Sequence, residues 1–227
     1  MSVRKPKNMN MTPDEYIKRV NENNEWAPGW EAIDNSFSEL YPNQEPRHLA
    51  MDMASRAIFG GDQYLDGCSI YQSAKGYAHI VTYGLSELYA NAEAFGGEYS
   101  RWGYEMTMKL PTNTDYMWAI DLLANLARYT FTQRQFFEPY QFISGGGNPI
   151  KADSASKLTA LYTVQDTELK EVITLHGKLN FIQLVGITQH EFEKLMENPD
   201  LGKVLIEKMQ VDNPMLVTDL ARTNDYL

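Results

Sequence analysis

The alternation of apolar and polar residues predicts where strands and helices lie along the chain. In "RWGYEMTMKL" every second residue from Trp102 to Leu110 is apolar, and Arg101, Glu105 and Lys109 stand among the alternate positions. This two-residue period is typical of a β-strand with two different faces. Apolar residues spaced three and four apart, and uniformly apolar runs, predict helices over 30–41 and 115–131 and buried strands over 158–164 and 179–187.

Capping signals predict where two further helices begin. Thr12 is followed by Pro13 and Glu15, and Thr188 is followed by Glu191, the spacing at which side chain and backbone cap each other. The remaining patterns predict a last helix in "PDLGKVLIEKM", a final strand in "MLVTDL", strands over 50–59 and 68–83, and loops in "AEAFGGEYS" and "SGGGNPIKADSASK".

Segregated helices and strands of this kind indicate an α+β protein with a mixed or antiparallel central sheet packed by helices. No internal repeat and no Pro-rich or Ser-rich linker divides the chain. We therefore expect one domain over residues 12–227, preceded by a disordered, locally basic tail at 1–11.

Composition restricts the class of protein and the compartment. The chain has 227 residues, of which 43% are hydrophobic, so a substantial core can form. Cys68 is the single cysteine, which excludes an internal disulfide and favours a reducing compartment. No apolar run approaches the roughly 18–20 residues that cross a bilayer, and the N-terminus lacks the apolar core of a signal peptide. We expect a soluble, cytoplasmic protein.

The formal net charge of −10 bears on the partners of the protein. Nucleic acid is disfavoured as a partner because phosphate binding requires a basic surface. An acidic surface can instead steer a basic protein partner. Plain solubility is the simpler interpretation of the same charge.

The sequence carries no recognised motif for catalysis, metal binding or phosphate binding. The four histidines do not pair at ligand spacing, "SGGGNPIKADS" lacks the phosphate-loop pattern, and "YGLSELY" lacks the GxSxG serine elbow. We expect no metal, no cofactor and no enzymatic activity. The alternative is an enzyme built from scattered residues, which would require a deep polar pocket with His79 or His176 beside buried carboxylates.

Five ordered blocks of the sequence resemble the Suppressor of fused domain over roughly Ala27 to Arg222. They are "APGWEAIDNSFSELYP", "DGCSIYQSAKGYAHIVTYGLSELYANAEAFGGEYSRWGYEMTMKL", "LLANLARYTF", "HGKLNFIQLVGITQHEFE" and "PMLVTDLAR". The blocks are similar to the family's "HYISFGLSDLY", "LMQGLARYVF" and "PWLITDMRR" motifs among others. The residues themselves indicate that Gly84, Leu85, Leu88, Gly103 and Gly186 determine the fold. Gly103 lies within a predicted strand, where a glycine indicates a β-bulge or a close backbone approach.

The resemblance implies a protein-binding role. Animal relatives hold Gli transcription factors with this domain and a second, C-terminal one, whereas this chain is similar to the first domain alone. The positions of two animal contact residues, one aromatic and one acidic, hold Ile80 and about Asn91 here, so Gli-type contacts are not expected. A single-domain chain is similar to bacterial members, which are associated with toxin systems as immunity proteins. A regulatory or scaffold protein that sequesters a host factor is the alternative.

The candidate partner-binding residues lie in the loop after "YGLSELY", because loops carry partner specificity more often than core strands do. They are Asn91, Glu93, Phe95 and Glu98. A second candidate is the Gly-rich loop Ser144–Asn148. In both places an ordinary mobile loop is the simpler interpretation. Strand addition at an exposed sheet edge is a further binding mode that such a sheet allows.

Overall fold

An eight-stranded sheet organises the part of the chain that the computed structural model describes, residues 11–51 and 64–227. Within these ranges the helices are α1 Pro13–Glu22, α2 Pro28–Leu40, α3 Met117–Gln133, α4 Gln189–Glu197 and α5 Leu201–Asp212. The strands are β1 Arg47–Ala50, β2 Gly67–Gln72, β3 Tyr77–Tyr83, β4 Tyr99–Pro111, β5 Phe142–Ser144, β6 Leu158–Gln165, β7 Val172–Thr174 and β8 Gly177–Thr188.

The strand order is β1-β2-β3-β4-β8-β6-β5, with β7 paired to the beginning of β8. Long strands β4 and β8 run parallel at the centre, with Thr107 opposite Gln183, and every other described pairing is antiparallel. The sheet is therefore mixed, and the predicted α+β class is confirmed.

Helices cover both faces of the sheet. Alternate residues of β4 such as Met106 and Met108 pack in one core with Leu123 of α3. On the opposite face, Phe37 of α2 packs with Phe181 of β8, and α4 and α5 cover the end of the sheet near β6. Because both faces are covered, the polar side chains of Glu105, Thr107 and Lys109 in β4 are buried as well, whereas Arg101 near its beginning is exposed.

Both predicted capping boxes are present. The Thr12 hydroxyl accepts the Glu15 amide at 3.3 Å while the Glu15 carboxylate accepts the Thr12 amide at 2.7 Å. Thr188 and Glu191 repeat the arrangement at 3.2 and 2.8 Å. These local signals needed no tertiary information, which explains why the sequence located the helix starts correctly.

The region predicted as extended over 68–83 is a hairpin of β2 and β3, with a turn in which the Gly76 amide donates to the Ser73 carbonyl. Of the strand predicted over 50–59, Ala50 ends β1, and residues 52–59 lie outside the described ranges, as do residues 1–10 of the predicted tail. Strands β1, β5 and β7, three or four residues each and largely half-exposed or exposed, went unpredicted.

The predicted final strand "MLVTDL" is wrong. The Asn213 side chain accepts the Val217 amide at 2.9 Å and donates to the Val217 carbonyl at 2.8 Å. This asparagine therefore satisfies the backbone groups that a neighbouring strand would pair. Leu216 also has φ of 51°, which is incompatible with an extended strand.

Candidate protein-binding surface

The segment "YGLSELY" is a bend that leaves β3 and begins the loop 85–98. Gly84 has φ of 127°, a conformation that side chains other than glycine rarely adopt. Leu85 and Leu88 are buried on opposite faces of the sheet, in the cores of α3 and α2. The Gly29 amide at the start of α2 donates to the Leu88 carbonyl at 2.9 Å. The bend is thus fixed between two hydrophobic cores.

Glu105 of β4 holds this bend from beneath. One carboxylate oxygen accepts the Gly84 amide at 3.0 Å and the Ser86 amide and hydroxyl at 2.9 and 2.7 Å. The other oxygen accepts the Thr82 hydroxyl at 2.6 Å. Glu105 has no solvent exposure, and this burial raises the pKa of its carboxyl to about 7 although the four donors oppose the shift.

A bulge in β4 completes the base of the loop. The register of β4 against β8 shifts between Tyr99 and Tyr104, where Arg101 and Gly103 have φ of 55° and 78°. The bulge predicted from Gly103 is therefore confirmed. It directs the Arg101 guanidinium to the Gly84 carbonyl at 2.7 Å and the Trp102 amide to the Leu85 carbonyl at 3.0 Å.

The far part of the loop is anchored to α1 and to the β7–β8 turn. The Tyr16 hydroxyl accepts the Asn91 amide at 2.7 Å and bonds the His176 imidazole at 2.8 Å. The ring of Phe95 packs on Tyr16 with 4.5 Å between centroids. The Gly96 amide donates to the Leu175 carbonyl at 2.9 Å. These contacts fasten the far part of the loop at three places.

The four residues predicted as an interface divide into two pairs. Glu93 and Glu98 are exposed, whereas Asn91 and Phe95 are half-buried. The Asn91 side chain accepts the Glu93 amide at 3.0 Å, and Phe95 packs inward on Tyr16. Asn91 and Phe95 thus shape the loop, and Glu93 and Glu98 are the residues that it presents to solvent.

Two exposed tyrosines, one within the loop and one at the start of β4, were missed by the sequence analysis. Tyr89 and Tyr99 are 51% and 54% exposed, although aromatic side chains of this size are usually more buried. The Lys178 ammonium lies 5.3 Å from the Tyr99 ring centroid, and the Tyr89 hydroxyl donates to Asp66 at 3.2 Å. We call the four exposed side chains Tyr89, Glu93, Glu98 and Tyr99 the acidic–aromatic surface.

The second predicted loop, Ser144–Asn148, lies elsewhere. Ser144 ends β5, and the Gly145 amide donates to the Thr159 carbonyl at 2.9 Å. Strands β4, β8 and β6 separate β5 from β3, so the structure does not join this loop to the acidic–aromatic surface.

A second group of polar side chains is buried between β3, β4 and the β6–β7 connection. We call it the Asp166 cluster: Tyr41, Tyr77, His79, Thr107, Lys109, Asp166 and Glu168. Asp166 accepts the Thr107 hydroxyl at 2.6 Å, the His79 imidazole at 2.9 Å and the Lys109 ammonium at 3.3 Å. Lys109 also contacts Glu168 at 3.1 Å.

Charge complementarity sets the ionisation of this cluster. Burial by itself raises the pKa of Asp166, but its contacts with His79 and Lys109 outweigh burial and hold that pKa well below its usual range. Burial lowers the pKa of His79, which fits a neutral imidazole that accepts the Tyr41 hydroxyl at 3.0 Å and donates to Asp166. Burial also raises the pKa of Glu168, but its contacts with Lys75, Tyr77 and Lys109 outweigh burial and lower that pKa to about 2.

The Asp166 cluster places a histidine beside buried carboxylates without giving it access to solvent. His79 and Lys109 have no exposure, and Asp166 also accepts the backbone amides of Glu168 and Leu169 at 2.8 and 3.1 Å. Two surface cavities of about 160 and 370 Å³ lie along residues 218–223, and neither is lined by His79 or His176. The cluster fastens the β6–β7 connection to the sheet, and its histidine and lysine are closed off from solvent.

Other candidate chemistry is also accounted for. Across residues 11–51 and 64–227, no group of three or more His, Cys, Asp and Glu side chains is arranged to hold a metal ion. Cys68 is buried, which raises the pKa of its thiol and keeps it in the unreactive, protonated form. No helix in those ranges is long and apolar enough to span a membrane.

Ile80, which the sequence resemblance aligns with an animal contact residue, is completely buried in the core with α3. It therefore cannot present a side chain to a partner in this conformation. Asn91, at the other position, uses its backbone amide and side-chain oxygen inside the loop.

Comparison with known proteins places these features in a family. A family model described as Suppressor of fused protein (SUFU) matches residues 61–223. The Suppressor of fused homolog of Homo sapiens is 27% identical over 213 residues, and the match covers 86% of this chain and 43% of the human protein. The chain thus spans less than half the length of the curated relatives that it matches.

Solved structures share the fold. The structure of the Sufu–Fu complex has a TM-score of 0.74 and 24% identity, covering 88% of this chain and 92% of the matched one. A putative SUFU homolog from Neisseria gonorrhoeae has a TM-score of 0.59 and 13% identity, covering 88% and 97%. With the family model matching well over half of its residues, this chain belongs to the Suppressor of fused family.

Proposed function

We propose that the protein is a non-catalytic protein-binding module that meets its partner through the acidic–aromatic surface. The observation that carries the proposal is the contrast in exposure within one anchored loop. Asn91 and Phe95 fix the loop from inside, while Glu93 and Glu98 are exposed to solvent and stand between two exposed tyrosines in the sequence. Exposed tyrosines are common at protein interfaces because an aromatic ring provides contact area with little rotamer entropy to lose.

The anchoring favours tight binding because a pre-formed loop loses little conformational entropy when it binds. The base of the loop is held by Glu105 and Arg101, and its far part by Tyr16. The proposal also accords with a relative of the same fold that has been crystallised in the Sufu–Fu complex.

The partner that fits the surface best is a basic protein. Glu93 and Glu98 stand on a chain of net charge −10, so long-range attraction accelerates association with a basic partner and weakens at high salt. We propose that this partner is a bacterial toxin domain and that the protein is the cognate immunity protein, which neutralises the toxin by covering its active site or substrate surface. A Neisseria gonorrhoeae protein of the same fold shows that the fold occurs in bacteria as well as in animals.

Co-expression with a toxin-like product of the adjacent gene tests the immunity role. Protection of growth by the wild type, and its loss in the double variant Glu93→Lys with Glu98→Lys, is the expected result. The matched control is Glu193→Lys with Glu197→Lys, which makes the same charge change at exposed positions of α4. The immunity role fails if the wild type neither binds the toxin nor protects the cells.

A regulatory scaffold that sequesters a host factor is the second candidate function, and the Sufu–Fu complex of the related protein favours it. It predicts capture of a housekeeping or regulatory protein and no effect on toxin sensitivity. Both candidates use the same surface, so the double variant at Glu93 and Glu98 should weaken either partner. Equal binding by the double variant and the wild type would remove this surface from both.

A further inference from the structure

Strand β5 has no pairing strand on its outer side among the described residues. It is the last strand of the sheet, and its pairing with β6 is antiparallel. The Gln141 carbonyl and the Gly145 amide both bond to β6, at 2.8 and 2.9 Å. Since alternate residues of an antiparallel strand face the same neighbour, the backbone groups of Phe142 and Ser144 point to the outer side.

This edge of the sheet also carries no charge. Exposed edge strands commonly avoid unwanted pairing by presenting charged side chains, and β1, at the opposite edge, begins with the exposed Arg47. By contrast, residues 139–150 around β5 contain no Asp, Glu, Lys or Arg, although the net charge of the chain is −10. Two copies of such an acidic chain therefore repel each other least when they meet at this edge.

We propose that β5 pairs antiparallel with β5 of a second copy of this chain, across a two-fold axis, so that the two sheets continue into one. Phe142 of each copy then exchanges hydrogen bonds with Ser144 of the other, and only this register uses the outward backbone groups of both residues. Ile143 lies on the axis opposite itself, in the closely spaced kind of pair that exchanges no hydrogen bonds. Such an isologous contact closes on itself and stops at two copies.

The same register places an aromatic side chain against glycines. It brings Tyr140 of each copy opposite Gly146 of the other. The Tyr140 side chain is 56% exposed, and a Cβ added to Gly147 would meet nothing within 4 Å, so the turn leaves room for a ring. An aromatic ring over a cross-strand glycine covers backbone that would otherwise stay in water. Because the strand is short, we expect a reversible dimer.

The dimer goes beyond the proposed function and uses a different surface. Strands β4, β8 and β6 lie between β5 and β3, the strand that leads into the loop 85–98. Salt distinguishes the two contacts. Screening weakens the attraction between the acidic–aromatic surface and a basic partner, but it reduces the repulsion between two acidic copies and so strengthens the dimer.

Sedimentation equilibrium of the full chain tests the dimer. The average mass of the wild type should rise from that of one chain toward that of two between about 10 µM and about 1 mM, and at lower concentrations in higher salt. Ser144→Pro removes an outward amide from each copy and should raise the dissociation constant at least about tenfold, because proline is tolerated on a free edge but not in a paired strand.

Ser144→Ala is the matched control for the proline variant. Both variants lack the hydroxyl that accepts the Gly146 amide at 3.0 Å, but the alanine variant keeps the outward amide and should dimerise like the wild type. A wild type that stays monomeric up to about 1 mM would overturn the proposal. Equal dissociation constants for the two variants would overturn it as well.

Disulfide cross-linking tests the register. Cys68 is buried, so an introduced cysteine provides the accessible thiol. Ile143→Cys should give a disulfide-linked dimer under mild oxidation, because the two Cα atoms across the axis lie about 4.5 Å apart. Ser144→Cys should not, because the two Ser144 positions are offset by two residues and lie more than about 7 Å apart. Failure of Ile143→Cys to cross-link, or cross-linking of Ser144→Cys, contradicts the proposal. These measurements involve no other protein, so their outcome is independent of the proposed function.

Discussion

Two buried carboxylates, Glu105 under the bend and Asp166 in the polar cluster, respond in opposite ways to the same burial. Asp166 meets the Lys109 ammonium and the His79 imidazole, and its pKa falls well below the usual range. Glu105 meets only amides and hydroxyls among its hydrogen-bond donors, and its pKa rises to about 7. A buried carboxylate is thus a permanent structural anchor when a cation accompanies it and responsive to pH when none does.

The difference matches the position of each group in the molecule. Asp166 fastens the β6–β7 connection, which lies over the centre of the sheet. Glu105 supports the bend from which the exposed loop departs. We expect the cluster to provide stability and the bend to position the loop that carries the acidic–aromatic surface.

The largest effect is expected from removing the cation of the Asp166 cluster. Lys109→Met leaves Asp166 and Glu168 without their shared ammonium, and breaking a buried ion pair in this way costs about 3–5 kcal/mol. Chemical denaturation at pH 7 measures the loss. Lys194→Met is the matched control, because Lys194 pairs with Glu197 at the surface and should change the free energy of unfolding by less than about 1 kcal/mol. Equal losses in the two variants would show that the cluster contributes no special stability.

The next effect concerns the pH dependence of stability that Glu105 causes. Its folded-state pKa of about 7 lies above the unfolded value near 4.5, so its contribution is present at low pH and is lost as pH rises through this window. Between pH 5 and pH 7 the free energy of unfolding of the wild type should decrease by about 2 kcal/mol relative to Glu105→Gln. Denaturation curves at several pH values give this difference, and a constant difference would contradict the account.

His79 should produce a smaller change of the opposite sign. Burial lowers its folded-state pKa, so the stability that its neutral form provides is present above about pH 6.5 and is lost as pH falls below it. Relative to His79→Gln, the wild type should lose up to about 1 kcal/mol per pH unit on acidification below pH 6.5. The same denaturation series measures this loss, and an unchanged difference between the two proteins would show that His79 is charged in the fold.

The smallest effect on stability is expected at the acidic–aromatic surface. Glu93 and Glu98 are exposed, so replacing both by Lys should alter the free energy of unfolding by no more than about 0.5 kcal/mol per site. Thermal and chemical denaturation check this expectation. A large loss would mean that the two glutamates belong to the scaffold and would weaken any conclusion about binding drawn from the double variant.

Local rules were sufficient for much of the fold. The capping boxes at Thr12 and Thr188 and the alternation along β4 depend on residues close in sequence, and each was predicted correctly. The strand predicted in "MLVTDL" failed because the Asn213 side chain replaces a strand partner. Short strands such as β7 depend on pairing with a neighbouring strand, and their three or four residues are too few to show a periodic pattern.

The site shows the same limit. Position along the chain identified the loop that holds Glu93 and Glu98, but not which of its residues face solvent. Glu105 was predicted to lie on the polar side of β4, yet nothing local indicates that it meets the bend some 20 residues earlier. The contact between Lys109 and Asp166 joins residues 57 positions apart and was likewise invisible. For Asp166, the sequence showed only that a polar residue follows the predicted buried strand over 158–164.

The central claim is that the partner binds the acidic–aromatic surface. Once co-expression or capture has identified the partner, calorimetric titration of that partner tests the claim most directly. Three proteins are compared: the wild type, Glu93→Lys with Glu98→Lys, and the control Glu193→Lys with Glu197→Lys. We predict a dissociation constant at least about tenfold higher for the loop variant than for both other proteins, with the largest difference at low salt. The same dissociation constant for all three proteins would contradict the claim.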